Sequence, residues 1–345
     1  MKAIAKTKRD KGIEVIDIEK PKIKKKNDVL IRVKKASICG SDVHIYDWNE
    51  WSQARIDPTR VIGHEFAGEV VETGEDVTSI KKGDYVSAET HIACGKCYYC
   101  KNHMKHICEN TKILGVHVDG AFTKYLVVPE ENLVINDDEL PPGIASIQEP
   151  LGNAVYSTLV ESVTAKSVLV MGCGPIGLMC VNIAKASGAS TVIAVDINDF
   201  KLEKAVELGA DYTFNPNSDN VSERIFEITN GLGVEVGLEM SGSVIAAQTL
   251  FKSMRKGGRV SLLGIFDKKV PLDFNEDIIF KSLKIYGING RIMFDTWYQI
   301  KGLLKSGNLN LNPIITHELP LTDFEKGIEL IKKGEAIKVI LDPYK

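Results

Sequence analysis

The hydrophobic pattern divides the chain into stretches of two kinds. Up to about residue 150, short runs rich in β-branched residues alternate with turn residues, which is typical of a small barrel or sandwich. The strands predicted there are 13–18, 29–33, 68–72, 85–88 and 122–128. This part of the chain is therefore predicted to be a β domain.

From about residue 167 to residue 287, apolar runs of strand length alternate with longer segments of helical period. The predicted strands are 167–171, 191–196, 234–239 and 259–263, and the predicted helices are 176–187, 201–208 and 245–254. This alternation predicts a parallel, doubly wound sheet with right-handed crossovers. Beyond residue 291 the pattern predicts helices at 296–304 and 324–332 and a closing strand at 337–341.

Composition narrows the class of protein. The 345 residues suggest about two domains, and 44% hydrophobic with 26% charged residues is ordinary for a globular chain. A net charge of −3 without a long basic block favours neither nucleic acid nor an anionic membrane as a partner. The lysine cluster Lys22, Lys24, Lys25 and Lys26 is interpreted as a solvated loop.

The expected compartment follows from the termini and the cysteines. The N-terminus lacks the apolar core of a signal peptide, and the most apolar run, 168–181, is broken by glycine and proline. These features predict a soluble cytoplasmic protein. In that compartment the seven cysteines are expected to be metal ligands or free thiols rather than disulfides.

The stretch 37–68 gathers residues suited to a catalytic zinc. Such a site takes about three protein ligands and keeps one position open, and Cys39, His64 and Glu65 would supply a thiolate, an imidazole and a carboxylate. Ser41 and His44 follow the thiol closely and are interpreted as a path for a proton. Taken singly, Cys39 could equally be a packed thiol, and His64 a surface or hydrogen-bonded histidine.

A second cysteine group has the spacing Cys-x2-Cys-x2-Cys-x7-Cys, and its members are Cys94, Cys97, Cys100 and Cys108. Four thiolates around one tetrahedral zinc leave no open coordination position, so the site would hold a loop in place rather than perform chemistry. An iron–sulfur cluster is the main alternative. We predict zinc.

A glycine-rich turn connects the predicted strand 167–171 to the next helix. Gly172 would allow the tight turn, Gly174 would let the backbone approach a pyrophosphate, and Gly177 would let the helix pack on the strand. Asp196, 19 residues beyond Gly177, is placed to bind both ribose hydroxyls. That carboxylate favours NAD over NADP, although Lys201 could soften the preference. The alternative is a glycine-rich turn that binds nothing.

The motif Gly63-His64-Glu65-x2-Gly68-x5-Gly74-x2-Val77 resembles the zinc-site signature of the medium-chain zinc-containing alcohol dehydrogenases. The likeness covers essentially the whole chain. It implies a GroES-like β-barrel catalytic domain formed by residues 1–151 and 291–345. It also implies a Rossmann NAD-binding domain at 152–290 and a homotetramer.

The same resemblance assigns roles to single residues. It implies two zinc ions per subunit, one catalytic on Cys39, His64 and Glu65 and one structural on the four-cysteine group. Glu149 matches a residue that is a metal ligand in some members and aids proton transfer in others, and the sequence leaves this choice open. The proton relay falls on Ser41 and His44. Besides the glycines, the cofactor contacts fall on Ile176, Asp196, Lys201, Leu263, Gly264, Ile265, Ile288 and Asn289.

Five segments resemble the branch of this family that oxidises the β-hydroxyl of L-threonine with NAD; they are 39–53, 148–155, 237–242, 290–298 and 313–317. A polyol or 2,3-butanediol dehydrogenase on the same scaffold remains an alternative, as does a non-catalytic NAD-binding protein. Side chains that could complete an amino-acid pocket are Glu149, His91, Arg291, Trp48 and Trp51. The two tryptophans, three residues apart, are equally consistent with packing.

Overall fold

The computed structural model describes residues 1–345, and these form two compact units. The first unit comprises Met1–Glu149 and Ile315–Lys345, and the second comprises Pro150–Ile314. The sequence predicts that the chain re-enters the first domain at residue 291, whereas the second compact unit extends to Ile314. Residues 291–314 pack in the second unit, where Nη1 of the buried Arg291 lies 3.3 Å from Asn153 Oδ1. The limits of the functional domains stay a prediction.

The strands, in chain order, are β1 (Lys2–Lys6), β2 (Glu14–Asp17), β3 (Asp28–Ser37), β4 (Arg60–Val61), β5 (Glu65–Thr73), β6 (Tyr85–Ala88), β7 (His91–Ile92), β8 (Lys112–Ile113), β9 (Tyr125–Pro129), β10 (Leu133–Ile135), β11 (Ser167–Met171), β12 (Thr191–Val195), β13 (Tyr212–Phe214), β14 (Val234–Glu239), β15 (Met254–Leu262), β16 (Lys284–Gly287), β17 (Ile315–Pro320) and β18 (Lys338–Asp342).

The α-helices are α1 (Gly40–Asp47), α2 (Glu50–Gln53), α3 (Tyr98–Lys101), α4 (Pro142–Ser146), α5 (Gln148–Leu159), α6 (Pro175–Ala186), α7 (Asp199–Glu207), α8 (Val221–Ile228), α9 (Val244–Ser253), α10 (Asp295–Lys305) and α11 (Phe324–Lys333). None of them combines the length and apolar character that a membrane span requires.

The first unit is built on a seven-stranded sheet in the order β10-β6-β5-β3-β18-β17, in which β9 also pairs with β3. A three-stranded sheet, β2-β1-β4, and the pair β7-β8 complete it. Strand β18 pairs antiparallel with β3 through Ile340 and Ser37, and parallel with β17. Strand β18, near the end of the chain, is therefore an inner strand of this sheet and lies between β3 and β17.

The core of the first unit joins residues that are far apart in the sequence. The rings of Phe122 and Phe324 have centroids 5.4 Å apart, so α11 packs against the loop that precedes β9. The predicted strand 122–128 begins only at Tyr125, because Phe122 bonds through its backbone N–H to Ile62 O at 3.0 Å. Strands β3 and β5 pair antiparallel with Ser37 opposite Glu65, so the last residue of β3 meets the first of β5.

The second unit contains a six-stranded parallel sheet in the order β13-β12-β11-β14-β15-β16. Numbered within the unit, this is the order 3-2-1-4-5-6 of the doubly wound dinucleotide-binding fold. The predicted parallel sheet is confirmed. Its inner strand β11 is buried on both faces, which explains its continuous apolar run from Val168 to Met171.

Candidate metal centres and dinucleotide site

Cys39, His64 and Glu65 come together at the junction of β3 and β5. Each offers one ligand atom, and these atoms lie within 4.8 Å of one another. Cys39 follows the end of β3 and is the N-cap of α1, where its backbone N–H donates to Asp42 Oδ2 at 2.8 Å. The pairing of Ser37 with Glu65 brings the two segments side by side. Local strand pairing thus brings together residues separated by 25 positions in the sequence.

Glu65 is a fully buried carboxylate with one oxygen already engaged. Its Oε2 accepts hydrogen bonds from the Ser37 hydroxyl and from the Lys338 ammonium group, and the latter is also an ion pair. Lys338 Nζ donates further to Ile38 O at 3.0 Å, and only 2% of the lysine side chain is exposed. The other oxygen, Oε1, is buried and has no hydrogen-bond partner. Lys338 therefore holds Glu65 by one oxygen and leaves the second one available.

His64 is surrounded by polar groups. Its Nε2 lies 3.4 Å from the Ser41 hydroxyl, and its Nδ1 lies 4.0 Å from Oδ1 of the fully buried Asp42. Burial raises the pKa of Asp42 to about 6, although the nearby His64 opposes this. Burial alone would lower the pKa of His64, but the Cys39 sulfur, with Asp42 and Glu149, raises it to about 10. The anionic groups around the imidazole therefore attract a cation, and a metal ion bound to the ring would take the place of the proton.

The donor set fits a zinc ion. Thiolate sulfur, imidazole nitrogen and carboxylate oxygen are the three ligand types that zinc takes in proteins. Glu65 Oε1 is a buried atom without a hydrogen-bond partner, and an atom in that state is costly unless something coordinates it. A carboxylate that faces the second nitrogen of a ligating histidine, as Asp42 does, is the usual means of orienting the ring.

The other predicted catalytic residues lie beside this cluster. Ser41 and His44 are three residues apart on α1 and so share one face of the helix; Ser41 is half-buried and His44 is exposed. Glu149 is buried and accepts a hydrogen bond from the Thr90 hydroxyl at 3.0 Å. It is not one of the three residues whose ligand atoms lie within 4.8 Å of one another. The geometry thus favours Glu65 over Glu149 as a member of the ligand group.

The four cysteines Cys94, Cys97, Cys100 and Cys108 also come within 4.8 Å of one another. Cys97 Sγ lies 3.5 Å from Cys100 Sγ and 3.8 Å from Cys108 Sγ. Sulfurs bound at 2.3 Å to a tetrahedral zinc would lie ~3.8 Å apart, so the spacing fits this ion. Backbone N–H groups of Lys96 and Cys97 lower the pKa of Cys94 to about 6, which favours the thiolate that a metal needs.

The glycine-rich turn has the shape that the sequence predicts. Gly172 has φ +94°, a conformation that side chains rarely adopt, and Gly174 is the N-cap of α6. A Cβ on Gly177 would collide with the carbonyl oxygen of Gly172, so only glycine lets α6 pack this closely on β11. The free N–H groups and the dipole of the α6 N-terminus favour a bound phosphate.

Asp196 follows β12 and faces this turn. Its Oδ2 accepts a hydrogen bond from the Cys173 backbone N–H at 2.7 Å, and its Oδ1 accepts from Asn198 N at 2.9 Å. Lys201 lies on α7, where its backbone N–H bonds to Asn198 Oδ1 at 3.3 Å. A carboxylate oxygen has two lone pairs, so Asp196 retains acceptor capacity for ribose hydroxyls.

The remaining predicted cofactor residues follow the carboxyl ends of parallel strands. Leu263 and Gly264 each donate a backbone hydrogen bond at 3.1 Å to Glu239 O, and Ile265 is 89% exposed. Ile288, which is buried, and Asn289, which is exposed, come after β16. Ile176 lies in the first turn of α6. Since the carboxyl ends of parallel strands share one edge of the sheet, these residues follow that edge, where such folds bind ligands.

The other candidates for a substrate pocket also have structural partners. Trp48 and Trp51 are half-buried and pack against the apolar core of the first unit, as the packing alternative predicts. Lys6 Nζ lies 4.7 Å from the centroid of the Trp48 ring. The Nδ1 of His91 lies 3.4 Å from Glu89 Oε1. Arg291 lies in the second unit.

Sequence reasoning missed three residues of the metal cluster: Ser37, Asp42 and Lys338. Asp42 lies three residues after Cys39, the spacing of a residue that caps a helix N-terminus, and this spacing could have predicted its contact with Cys39. Ser37 is a small polar residue at the end of a strand and gave no signal. Lys338 is 273 positions from Glu65, so no local pattern connects the two.

Comparison with known proteins gives the family. Residues 25–138 match the model of the alcohol dehydrogenase GroES-like domain, and residues 175–306 match that of the zinc-binding dehydrogenases. An L-threonine 3-dehydrogenase from Caldanaerobacter subterraneus subsp. tengcongensis is 51% identical over 99% of both chains. The L-threonine 3-dehydrogenase of Thermococcus kodakarensis is 48% identical over 100% of this chain and 99% of its own.

A solved structure agrees with these matches. The 2R,3R-butanediol dehydrogenase from Bacillus subtilis is 31% identical, superimposes with a TM-score of 0.89 and covers 99% of each chain. The GroES-like and Rossmann-type fold expected from the resemblance is therefore confirmed. The chain belongs to the zinc-binding alcohol dehydrogenase family.

Proposed function

We propose that this protein oxidises the β-hydroxyl of L-threonine to a ketone with NAD, giving 2-amino-3-oxobutanoate, NADH and a proton. The observation that carries the proposal is the Cys39, His64 and Glu65 cluster in a chain 51% identical, over 99% of its length, to an L-threonine 3-dehydrogenase. The relative from Bacillus subtilis that acts on butanediol is 31% identical, which supports a diol substrate less well.

Cys39, His64 and Glu65 would hold the catalytic zinc. Lys338 fixes Glu65 through Oε2, and Asp42 faces the far side of the His64 ring, so the ligands are oriented by neighbouring residues. Zinc held there acts as a Lewis acid that lowers the pKa of an alcohol hydroxyl. Glu149 is assigned to the surroundings of the metal, where its carboxylate is held by Thr90.

The hydroxyl proton must leave as the carbon loses its hydride to NAD. Ser41, half-buried beside His64, would take the proton first, and His44, exposed one turn further along α1, would release it to water. Histidine is suited to this step because its ordinary pKa lies near neutrality. The path thus runs from a half-buried hydroxyl to an exposed imidazole on a single helix.

NAD would be bound by the second unit. Gly172, Gly174, Ile176 and Gly177 would receive the pyrophosphate, and Asp196 would bind the adenosine ribose and repel a 2′-phosphate. Lys201, Leu263, Gly264, Ile265, Ile288 and Asn289 complete the proposed contacts. The collision that a Cβ on Gly177 would cause supports the turn assignment, because the third glycine of a dinucleotide-binding turn permits such close packing of helix on strand.

The second metal would be a structural zinc on the four-cysteine group, giving two zinc ions per subunit. Its sulfur separations support this choice over four free thiols. The seven cysteines form no disulfide, which fits a reducing cytoplasm.

We also propose a homotetramer. Strand β16 is an end strand of its sheet and pairs only with β15, and Ile285 on it is 41% exposed. An open edge presents unpaired backbone N–H and C=O groups that can pair with the edge strand of another chain. Light scattering on a size-exclusion column measures the assembly directly, and a monomer or a dimer at micromolar concentration would refute the proposal.

The substrate is tested with a panel. Purified protein is analysed for metal, and NADH formation is followed with L-threonine, sorbitol and 2,3-butanediol. We expect two zinc ions per chain and the highest kcat/KM with L-threonine. Higher kcat/KM with a diol or polyol would reassign the substrate, and full zinc and NAD loading without turnover would indicate a non-catalytic protein.

The relay is tested with Ser41→Ala and His44→Ala. Each is expected to lower kcat by about 10²-fold, the lower end of the range for acid–base catalysis, with the zinc content unchanged. His103→Ala, which alters another exposed histidine of the same unit, is the matched control. A residue whose alanine variant keeps full kcat has no part in the relay.

A further inference from the structure

The first unit contains a cavity of about 690 Å³ that the proposed reaction does not use. Its walls come from the connection between β2 and β3, from strand β9 and from the loop around Asp119. None of the residues that line it belongs to either metal cluster. Its volume lies in the range of about 300–1,000 Å³ that is usual for small-molecule sites.

The cavity is lined by four lysines, Lys20, Lys22, Lys24 and Lys25. Their ammonium groups form no salt bridge, whereas the next lysine, Lys26, lies 2.9 Å from Glu75 Oε2. All four lysines are exposed to solvent, as the interpretation of this segment as a solvated loop predicts. They also form part of the lining of one cavity.

The carboxylates in the same wall do not balance these cations. Asp119 is engaged by Arg60, with 3.1 Å between Oδ1 and Nη1, and Asp28 Oδ2 accepts the backbone N–H of Lys25 at 3.0 Å. The third acidic residue is Glu19. The lining therefore carries four ammonium groups and three carboxylates, one of which is paired with Arg60, so positive charge is in excess and favours an anion in the cavity.

Part of the cavity lining, named the floor, is apolar. Ile18, Val118 and Val127 line it, together with the ring of Tyr125. Lys20 Nζ lies 4.4 Å from the centroid of that ring, so one cation is held over an aromatic face at the wall. Such a contact is favourable by about 0.5–1 kcal/mol at exposed sites and draws the lysine toward the cavity. A cavity whose lining combines four lysines, the rim, with these apolar residues, the floor, matches a ligand with a charged head and an apolar body.

We propose that this cavity binds a small phosphorylated molecule whose body is apolar or planar. Lysine binds phosphate as a compact point charge, and a phosphate dianion offers several ammonium groups about twice the charge of a carboxylate. The four lysines lie on an irregular segment, so several can turn toward one phosphate dianion. The apolar floor accommodates the rest of the ligand.

The test uses the zinc-loaded enzyme saturated with NAD, so that the cofactor occupies the dinucleotide turn. Binding of 1-naphthyl phosphate, inorganic phosphate and 1-naphthol is measured by isothermal titration calorimetry. We expect naphthyl phosphate to bind about tenfold more tightly than either of the other two, because only it uses both the rim and the floor. Absence of binding, or equal binding of all three, would overturn the proposal.

Two variants locate the site. Lys22→Gln combined with Lys24→Gln is expected to weaken naphthyl phosphate binding by about fivefold. Lys81→Gln combined with Lys82→Gln removes the same charge from exposed lysines elsewhere in the first unit and should leave the affinity unchanged. Equal effects of the two double variants would indicate a general charge effect and refute the assignment.

A third variant tests the floor. Val127→Phe narrows the cavity without altering its charge, so it should abolish the preference for naphthyl phosphate and leave the affinity for inorganic phosphate unchanged. If the preference survives in Val127→Phe, the apolar body does not bind there. If an acidic peptide displaces the probe from wild-type enzyme more effectively than phosphate does, a protein segment is the occupant and the small-molecule proposal fails.

Discussion

Replacing Lys338 by methionine tests how the proposed metal cluster is held together. Lys338 Nζ pairs with Glu65 Oε2 and also donates to Ile38 O at 3.0 Å, while both side chains are almost fully buried. Methionine keeps most of the volume and removes the charge. Glu65 would then be a buried carboxylate without its cation, bonded only to the Ser37 hydroxyl.

The expected effect is large. Removing one partner of a buried ion pair lowers the free energy of unfolding by about 3–5 kcal/mol, chiefly because the remaining charge is left buried. For a unit of this size each kcal/mol lowers the unfolding midpoint by about 2–4 °C, so the midpoint should fall by about 6–20 °C. Lys35→Met is the matched control, because Lys35 pairs with Glu318 at 2.7 Å and Asp342 at 2.9 Å at a more exposed place in the same sheet. There we expect about 1 kcal/mol or less.

The assay follows the first unit alone. Its tryptophans are Trp48 and Trp51, so a Trp297→Phe background removes the fluorescence of the second unit. Thermal unfolding of metal-free protein is recorded for Lys338→Met, for Glu65→Gln and for the two combined. The double variant should lose less stability than the sum of the singles, since neither charge is left buried alone. Equal losses in Lys338→Met and Lys35→Met, or additive single effects, would refute the ion-pair reasoning.

Three further predictions concern the cofactor turn and the second metal. Gly177→Ala should lower the free energy of unfolding of the cofactor-free protein by about 1–3 kcal/mol, since its Cβ would meet the Gly172 carbonyl. Gly174→Ala places its Cβ in open space, so it should leave stability unchanged and weaken only NAD binding, which calorimetry measures. Asp196→Ala should bring the kcat/KM for NADP close to that for NAD, and unchanged kinetics with both would exclude its role. Cys100→Ser should halve the zinc content from two ions to one per chain, and metal analysis that still finds two would contradict the four-thiolate site.

The sequence predicts best those elements whose burial is continuous. Strands β6, β11 and β14 begin and end at the predicted residues, because short, mainly apolar or β-branched runs flanked by turn residues identify inner strands. Strands β13 and β16 were not predicted. They are the two edge strands of the same sheet, so each pairs with a neighbour on one side only. Few of their residues are buried, and they therefore lack the apolar pattern that identifies a strand.

The cluster of Cys39, His64 and Glu65 was predictable because its parts lie at the ends of two strands that pair. The roles of Trp48 and Trp51 could not be predicted. A spacing of three residues indicates only that two side chains lie on one face of a helix, and the tertiary fold determines which residues that face contacts. The structure places both against the core. The same limit applied to the lysines at 20–25, whose common cavity depends on β9 and the loop near residue 119.

Lys338 shows most clearly why part of the site could not be predicted from the sequence. Its neighbours Val339, Ile340 and Leu341 are at most 1% exposed, so β18 is stabilised in the sheet by apolar packing and reads as an ordinary inner strand. That packing supplies the free energy needed to bury an ammonium group beside β3, where Glu65 requires a cation. The C-terminal strand therefore does more than close the sheet. It carries the charge that lets a carboxylate remain buried next to the proposed metal, and the stability of that strand and the geometry of the cluster depend on each other.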